Sequence, residues 1–303
     1  MRFRLKTLLF AFVAITVLAG SATLVLAVHT GAKDTVAGAT TYQGFYLDIG
    51  ASASLGMQPD GVVKHNGHRT NTGYANDLVA IEASKGVALD LTQIGCPGET
   101  AQSMLSGADS CYKLPEDQLL RATTFLKENV NQPGIVTIDL GFNDVLACLV
   151  PSLVDENCAK QGINLVNQDM PLVLKALQSA AGPKVHFIGL EYSDPYLGRY
   201  LLPSNGKLDA SESLQVFQQL NVVLNTVYAK AGVPVANVPG AYQIDDETPK
   251  LLRGFGTVPT NVAQACLLTW MCTGYPYGPD DHPNNAGYKL IAQTIAGIVP
   301  STL

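Results

Sequence analysis

The sequence predicts an α/β fold built on a central parallel sheet with helices on both faces. Three observations lead there. Short β-rich runs alternate with helical patterns from Tyr42 onwards, as expected of right-handed strand–helix–strand crossovers. The run Ile135–Leu140 is continuously β-rich, as in a strand buried on both faces. The stretch Tyr46–Gly56 starts as an apolar strand and breaks into small residues that include Ser52 and Ser54. Such a run suits a tight strand-to-helix turn, where a bulkier side chain would collide with neighbouring backbone. At 303 residues, 47% hydrophobic and 15% charged, the chain suffices for one large core.

The elements follow in order. Tyr42–Gly50 is the first strand, and residues 74–85 form a helix with Leu78, Ile81 and Glu82 at helical spacing. A second strand, 87–94, runs into Gly95-Cys96-Pro97-Gly98-Glu99-Thr100. A helix over 114–130 presents Leu119, Leu120, Ala122 and Leu126, and the buried strand 135–140 ends in Gly141-Phe142-Asn143-Asp144. A cysteine-bracketed loop, a long helix through Ala180 and a strand over 184–190 come next. The strongest helical pattern spans 209–231, with Asp209 as cap, Glu212 in the first turn and an apolar stripe from Leu214 to Ala231. A short strand over 233–238 and a last helix carrying Leu290, Ile291 and Ile295 complete the count of five strands.

The N-terminus reads as an export signal. Arg2, Arg4 and Lys6 precede an apolar stretch from Leu8 to Leu26, and Val25-Leu26-Ala27 offers a small residue before a cut. The predicted organisation is a signal peptide over 1–27, a linker over 28–40 and a catalytic domain over 41–303. The expected location is therefore extracellular. The alternative is an uncleaved anchor, since residues 7–28 are long enough to span a bilayer and would hold the domain at the outer face. Cleavage takes the formal net charge from −6 to −9 by removing three basic and no acidic residues. That charge argues against nucleic acid or anionic lipid as an electrostatic partner.

Six cysteines suit an oxidising compartment. They fall into neighbours along the chain, which predicts Cys96–Cys111, Cys148–Cys158 and Cys266–Cys272, although six cysteines allow about fifteen connectivities. Zinc is disfavoured by the absence of a Cys-x-x-Cys pair.

In a parallel sheet the carboxyl ends of all strands share one rim, where such folds place their ligands. Ser52, Gly98 and Asn143 each follow a strand and meet there. Acyl transfer needs a nucleophile, a base and donors for an oxyanion. Ser52 is the first candidate nucleophile, with Ser54 as the alternative. The backbone N–H groups of Ser52 and Gly98 and the Asn143 amide are the donors, and His282 is the base.

Gly50-Ala51-Ser52, then Gly98 within Cys-Pro-Gly-Glu-Thr, then Gly141-Phe142-Asn143-Asp144, then His282-Pro283 with Gly287-Tyr288, resembles the SGNH (GDSL-type) esterase and lipase family. The four blocks stand in the family's order across most of the chain. The resemblance implies a flavodoxin-like three-layer α/β/α sandwich, with Ser52 as nucleophile, Gly98 and Asn143 in the oxyanion hole and His282 as base. Two positions depart from the pattern. Ala51 stands where the family usually has Asp, and Pro279 where it often has the acid. Asp280 is chosen as the orienting carboxylate, with Asp281 or a main-chain carbonyl as alternatives.

The function expected is a secreted, monomeric serine esterase or lipase that needs no metal or cofactor. Its substrate is a small-molecule, lipid or acetylated-sugar ester. The alternative is a non-catalytic carbohydrate- or lipid-binding domain on the same scaffold. The other large serine-hydrolase fold wants Gly-x-Ser-x-Gly, and Ser54 occupies the fifth position here. His65 and His68 are expected to face solvent or substrate, and His186 to be structural. Trp270, between Cys266 and Cys272, either walls the acyl pocket or packs beneath a disulfide.

Overall fold

In the computed structural model, the residues described are 42–61, 67–108, 111–113, 115–150 and 153–301. The predicted signal peptide and linker, and His65, lie outside them. Five strands, β1 (Tyr42–Gly50), β2 (Val87–Gln93), β3 (Gly134–Asp139), β6 (Val185–Leu190) and β7 (Val235–Ala236), form one all-parallel sheet in the order β2-β1-β3-β6-β7. Two small antiparallel ladders lie outside it. One pairs β4 (Leu149–Val150) with β5 (Leu153–Val154), and the other pairs β8 (Pro249–Leu252) with β9 (Gly256–Pro259). The order reverses beside β1, which makes the gap between β1 and β3 the switch point at which open α/β sheets bind ligands.

The helices are α1 (Tyr74–Ser84), α2 (Ala101–Ser106), α3 (Gln118–Glu128), α4 (Phe142–Leu146), α5 (Glu156–Ala180), α6 (Gly206–Lys230), α7 (Val238–Ala241), α8 (Thr260–Leu268) and α9 (Asn285–Ala296). Alternation along the strands sorts them into two layers. Phe45, Leu47, Ile49, Val136 and Ile138 pack with α3, α5 and α6, through residues such as Leu126, Met170, Leu177 and Leu220. Tyr46, Ile135, Ile188 and Leu190 point the other way and pack with α1 and α9, through Leu78, Tyr288, Ile291 and Ile295. All six residues of β3 are buried, which is why that strand reads as a continuous run in the sequence.

The alternation also places polar residues of β1 and β3 on the α1/α9 face. Asp48 is fully buried there and accepts hydrogen bonds from Tyr74 Oη at 2.8 Å and Thr137 Oγ1 at 2.7 Å. Burial raises its pKa well above the ordinary carboxylate value.

Several boundaries differ from the sequence reading. α6 begins at Gly206 after Asn205, so Asp209 lies inside the first turn rather than capping it, and Glu212 lies beyond that turn. α3 begins at Gln118, because the Asp117 side chain accepts from Leu120 N and caps it there. Leu120 is then exposed while Gln118 is buried. α2 has too few residues for periodicity to reveal. It is held by a reciprocal cap in which Thr100 Oγ1 accepts from Ser103 N and Ser103 Oγ accepts from Thr100 N, both at 2.9 Å. Among the described residues no helix is long and apolar enough to cross a membrane.

Candidate active site

The first strand reaches the rim at Gly50, which pairs with Asp139 of β3. Gly50 has φ +144°, and a Cβ on it would lie 2.3 Å from the Asp139 carbonyl oxygen, so only glycine fits. Its peptide is clamped from both sides. Gly50 N donates to Gln118 Oε1 at 2.7 Å, and Gln118 Nε2 donates back to Gly50 O at 3.0 Å. The same amide nitrogen donates to Glu99 Oε2 at 2.8 Å, tying the serine turn to the loop that carries Gly98.

Beyond Gly50 the chain turns into a 3-10 helix, Ala53–Leu55, with Ser52 at its N-cap position. The two serines are now distinguishable. Ser54 is fully buried, and its hydroxyl donates to Ala51 O at 2.7 Å. Gly95 packs against that hydroxyl so closely that a Cβ there would stand 1.9 Å from Ser54 Oγ. Ser52 is half-buried and lines a cavity of about 60 Å³.

Asn143 and His282 line that same cavity. Asn143 sits in the first turn of α4, and its Nδ2 donates to Glu99 O at 3.0 Å. One amide hydrogen is thus spent on the neighbouring loop, and the other remains for a ligand. Gly98 is exposed, has φ +84° and is not among the cavity's lining residues. It adjoins the site through Glu99, the acceptor of Asn143.

His282 lies on the loop before α9. Asp280 Oδ1 accepts from both the backbone N and ring Nδ1 of His282, each at 2.9 Å. Asp281 Oδ1 is farther from Nδ1, at 3.5 Å, and Asp281 Oδ2 accepts from Tyr196 Oη at 2.7 Å. With Nδ1 donating to Asp280, Nε2 carries the lone pair. Burial alone lowers the imidazole pKa, but the Asp280 hydrogen bond and the charges of Asp281, Asp280 and Asp139 outweigh it, so the pKa lies above 6.5. The ligand atoms of Asp280, Asp281 and His282 converge within 4.8 Å, and they serve one another and Tyr196.

Two more carboxyl groups line the cavity. Burial pushes Asp139 up to about 6 and Glu191 up to about 7. Asp139 was missed in the sequence, although a charge inside an otherwise β-rich run was its signal.

Gln58, also missed, is a buried clasp between the serine loop and the histidine loop. Its Nε2 donates to Asn285 Oδ1 at 2.7 Å and Thr72 Oγ1 at 2.9 Å, and its Oε1 accepts from Trp270 Nε1 at 3.1 Å. Trp270 N in turn donates to His282 O at 3.1 Å. Trp270 does not line the cavity; its ring stacks on Tyr277 with centroids 6.1 Å apart. Gln58→Ala removes these hydrogen bonds, whose partners Thr72, Asn285 and Trp270 keep some access to solvent, so each is worth about 0.5–1.5 kcal/mol. Chemical denaturation is expected to show a loss of that order, and an unchanged midpoint would dismiss the clasp.

His68 is exposed, and His186 lies half-buried in β6 away from this cavity. Cys96 is bonded to Cys111, Cys148 to Cys158 and Cys266 to Cys272. The first of these bonds closes the loop that carries Gly98.

Comparison with solved structures finds the same architecture. A phospholipase A1 from Streptomyces albidoflavus NA297 is similar with a TM-score of 0.53 at 17% identity, over 84% of this chain and 99% of that one. An extracellular lipase from Streptomyces rimosus matches with a TM-score of 0.53 at 16% identity, over 85% of this chain and all of its own. At such identities the likeness speaks to the fold, which is that of the SGNH hydrolases. No match was found among curated protein sequences. A family model for GDSL-like lipases and acylhydrolases matches residues 48–290, a span that runs from the serine turn through the histidine loop. The chain belongs to the GDSL-like lipase/acylhydrolase family.

Proposed function

We propose that this protein hydrolyses carboxylic esters through an acyl-enzyme on Ser52. The observation that carries the reading is the convergence of Ser52, Asn143 and His282 on one cavity, with His282 Nδ1 held by Asp280. His282 Nε2 takes the Ser52 hydroxyl proton as Oγ attacks the ester carbonyl. The oxyanion is met by the Asn143 amide and by the N–H groups of Ser52 and Gly98. Collapse expels the alcohol, which leaves with the proton held by His282. Water then attacks the acyl-enzyme, giving its proton to His282, and the acid is released as Ser52 Oγ regains a proton.

Asp280 orients the imidazole and stabilises its charged form, while Asp281 is engaged by Tyr196. The chain's three disulfides support a place in an oxidising compartment outside the cytoplasm. Asn143→Ala is expected to cost about 10²–10³-fold in kcat with little change in KM, because its free amide hydrogen meets charge that exists only in the transition state. Steady-state kinetics on a p-nitrophenyl ester checks this. A kcat within a few-fold of wild type would remove Asn143 from the oxyanion hole.

A further inference from the structure

We propose that the site takes short acyl groups, of about two to four carbons, an inference that rests on the ester-hydrolase reading above. The cavity shared by Ser52, Asn143 and His282 measures about 60 Å³. An apolar cavity of about 150 Å³ accommodates a six-carbon ring such as benzene. In proportion, this one has room for about two or three carbons, the alkyl part of an acetyl, propionyl or butyryl group whose carbonyl stays at Ser52, and not for the alkyl part of a fatty acid.

Its walls are fixed. Tyr74, Leu190, Val238 and Ile291 are between 0% and 6% exposed and belong to the core layer between the sheet and the α1/α9 pair. Tyr74 is further held by its 2.8 Å hydrogen bond to Asp48. These side chains come from the end of a strand and from helices. Interiors packed to crystal-like density do not part for a ligand without cost.

The test is the chain-length profile of the purified protein on p-nitrophenyl acetate, butyrate and octanoate, with the rate of Ser52→Ala subtracted at each length. We expect kcat/KM for acetate or butyrate to exceed that for octanoate by about tenfold or more, since one methylene in a hydrophobic pocket discriminates by about 10–200-fold. Octanoate hydrolysed as fast as butyrate overturns the inference while leaving the ester-hydrolase reading in place. If no ester is cleaved above the Ser52→Ala blank, the reading itself falls, and the inference with it.

Two variants address the walls. Val238→Ala and Ile291→Ala each open the cavity and are expected to raise the octanoate-to-butyrate ratio several-fold. The ratio is taken within one preparation, so a reduced folded fraction does not affect it. A ratio unchanged in both variants would show that these side chains do not bound the acyl group.

Discussion

Ser52→Ala is expected to lower kcat for ester hydrolysis by about 10⁴-fold or more while leaving the fold intact. The first half follows from the chemistry. Without Oγ no acyl-enzyme forms, and what remains is the stabilisation offered by the oxyanion donors and by binding. The second half follows from location, because the lost oxygen lies at a cavity wall and the change is expected to fall within about 0.5 kcal/mol. Ser54→Ala is the informative companion. It removes a buried hydroxyl bonded to Ala51 O, so it is expected to cost stability of about 1 kcal/mol with a much smaller effect on turnover. A p-nitrophenyl butyrate assay beside a thermal melt reads both. Ser52→Ala retaining a tenth of wild-type activity would move the nucleophile elsewhere. His282→Ala added to Ser52→Ala should lower the rate little further, since groups that act as a unit are not additive.

The second large effect separates two adjacent carboxylates. Asp280→Asn is expected to reduce kcat by about 10³–10⁴-fold, because a neutral amide neither stabilises the imidazolium nor guarantees the Nδ1–H tautomer. Asp281→Asn is expected to stay within about tenfold, since Asp281 is more distant from Nδ1 and is occupied by Tyr196. The pH profile carries the same distinction. Only neutral His282 accepts the proton, so kcat/KM rises with pH through an inflection that lies above 6.5, where the surrounding carboxylates place it. Burial acts in the opposite direction and is uncovered when Asp280 loses its charge, so in Asp280→Asn the inflection moves to lower pH. An inflection that stays put in that variant, or an equal loss of kcat in both, would return the choice of acid to the open.

The parts of the fold legible in the sequence were those whose cause is local. β1 and β3 are buried on both faces, and their residues are correspondingly β-rich and apolar. The serine turn is legible because Gly50 and its small neighbours answer to backbone crowding within a few residues. α2 depends on a reciprocal cap that short-range periodicity does not register, and α6 starts three residues before Asp209, after Asn205, with no side-chain cap to mark the place. The hairpin of β8 and β9 is no more than two brief segments, and only two of its residues, Leu252 and Val258, reach a core.

At the site, the residues whose types advertise their chemistry were visible: a serine in a small-residue turn, Asn143 after a strand, a histidine before the last helix. Gln58 and Gln118 were not. Each is a neutral amide whose meaning comes from partners far along the chain, 227 residues away for Gln58 and Asn285 and 68 for Gln118 and Gly50. Nothing near them in sequence marks them.

The crowding around the serine turn has a consequence for directed evolution. Position 95 does not line the cavity, yet any side chain there would drive into Ser54 Oγ, and position 50 is closed by the Asp139 carbonyl. A saturation library covering residues 50 and 95 should therefore return almost nothing but glycine among active clones. Diversity is better spent at Val238 and Ile291, where the shape of the cavity can change without disturbing the turn that presents Ser52.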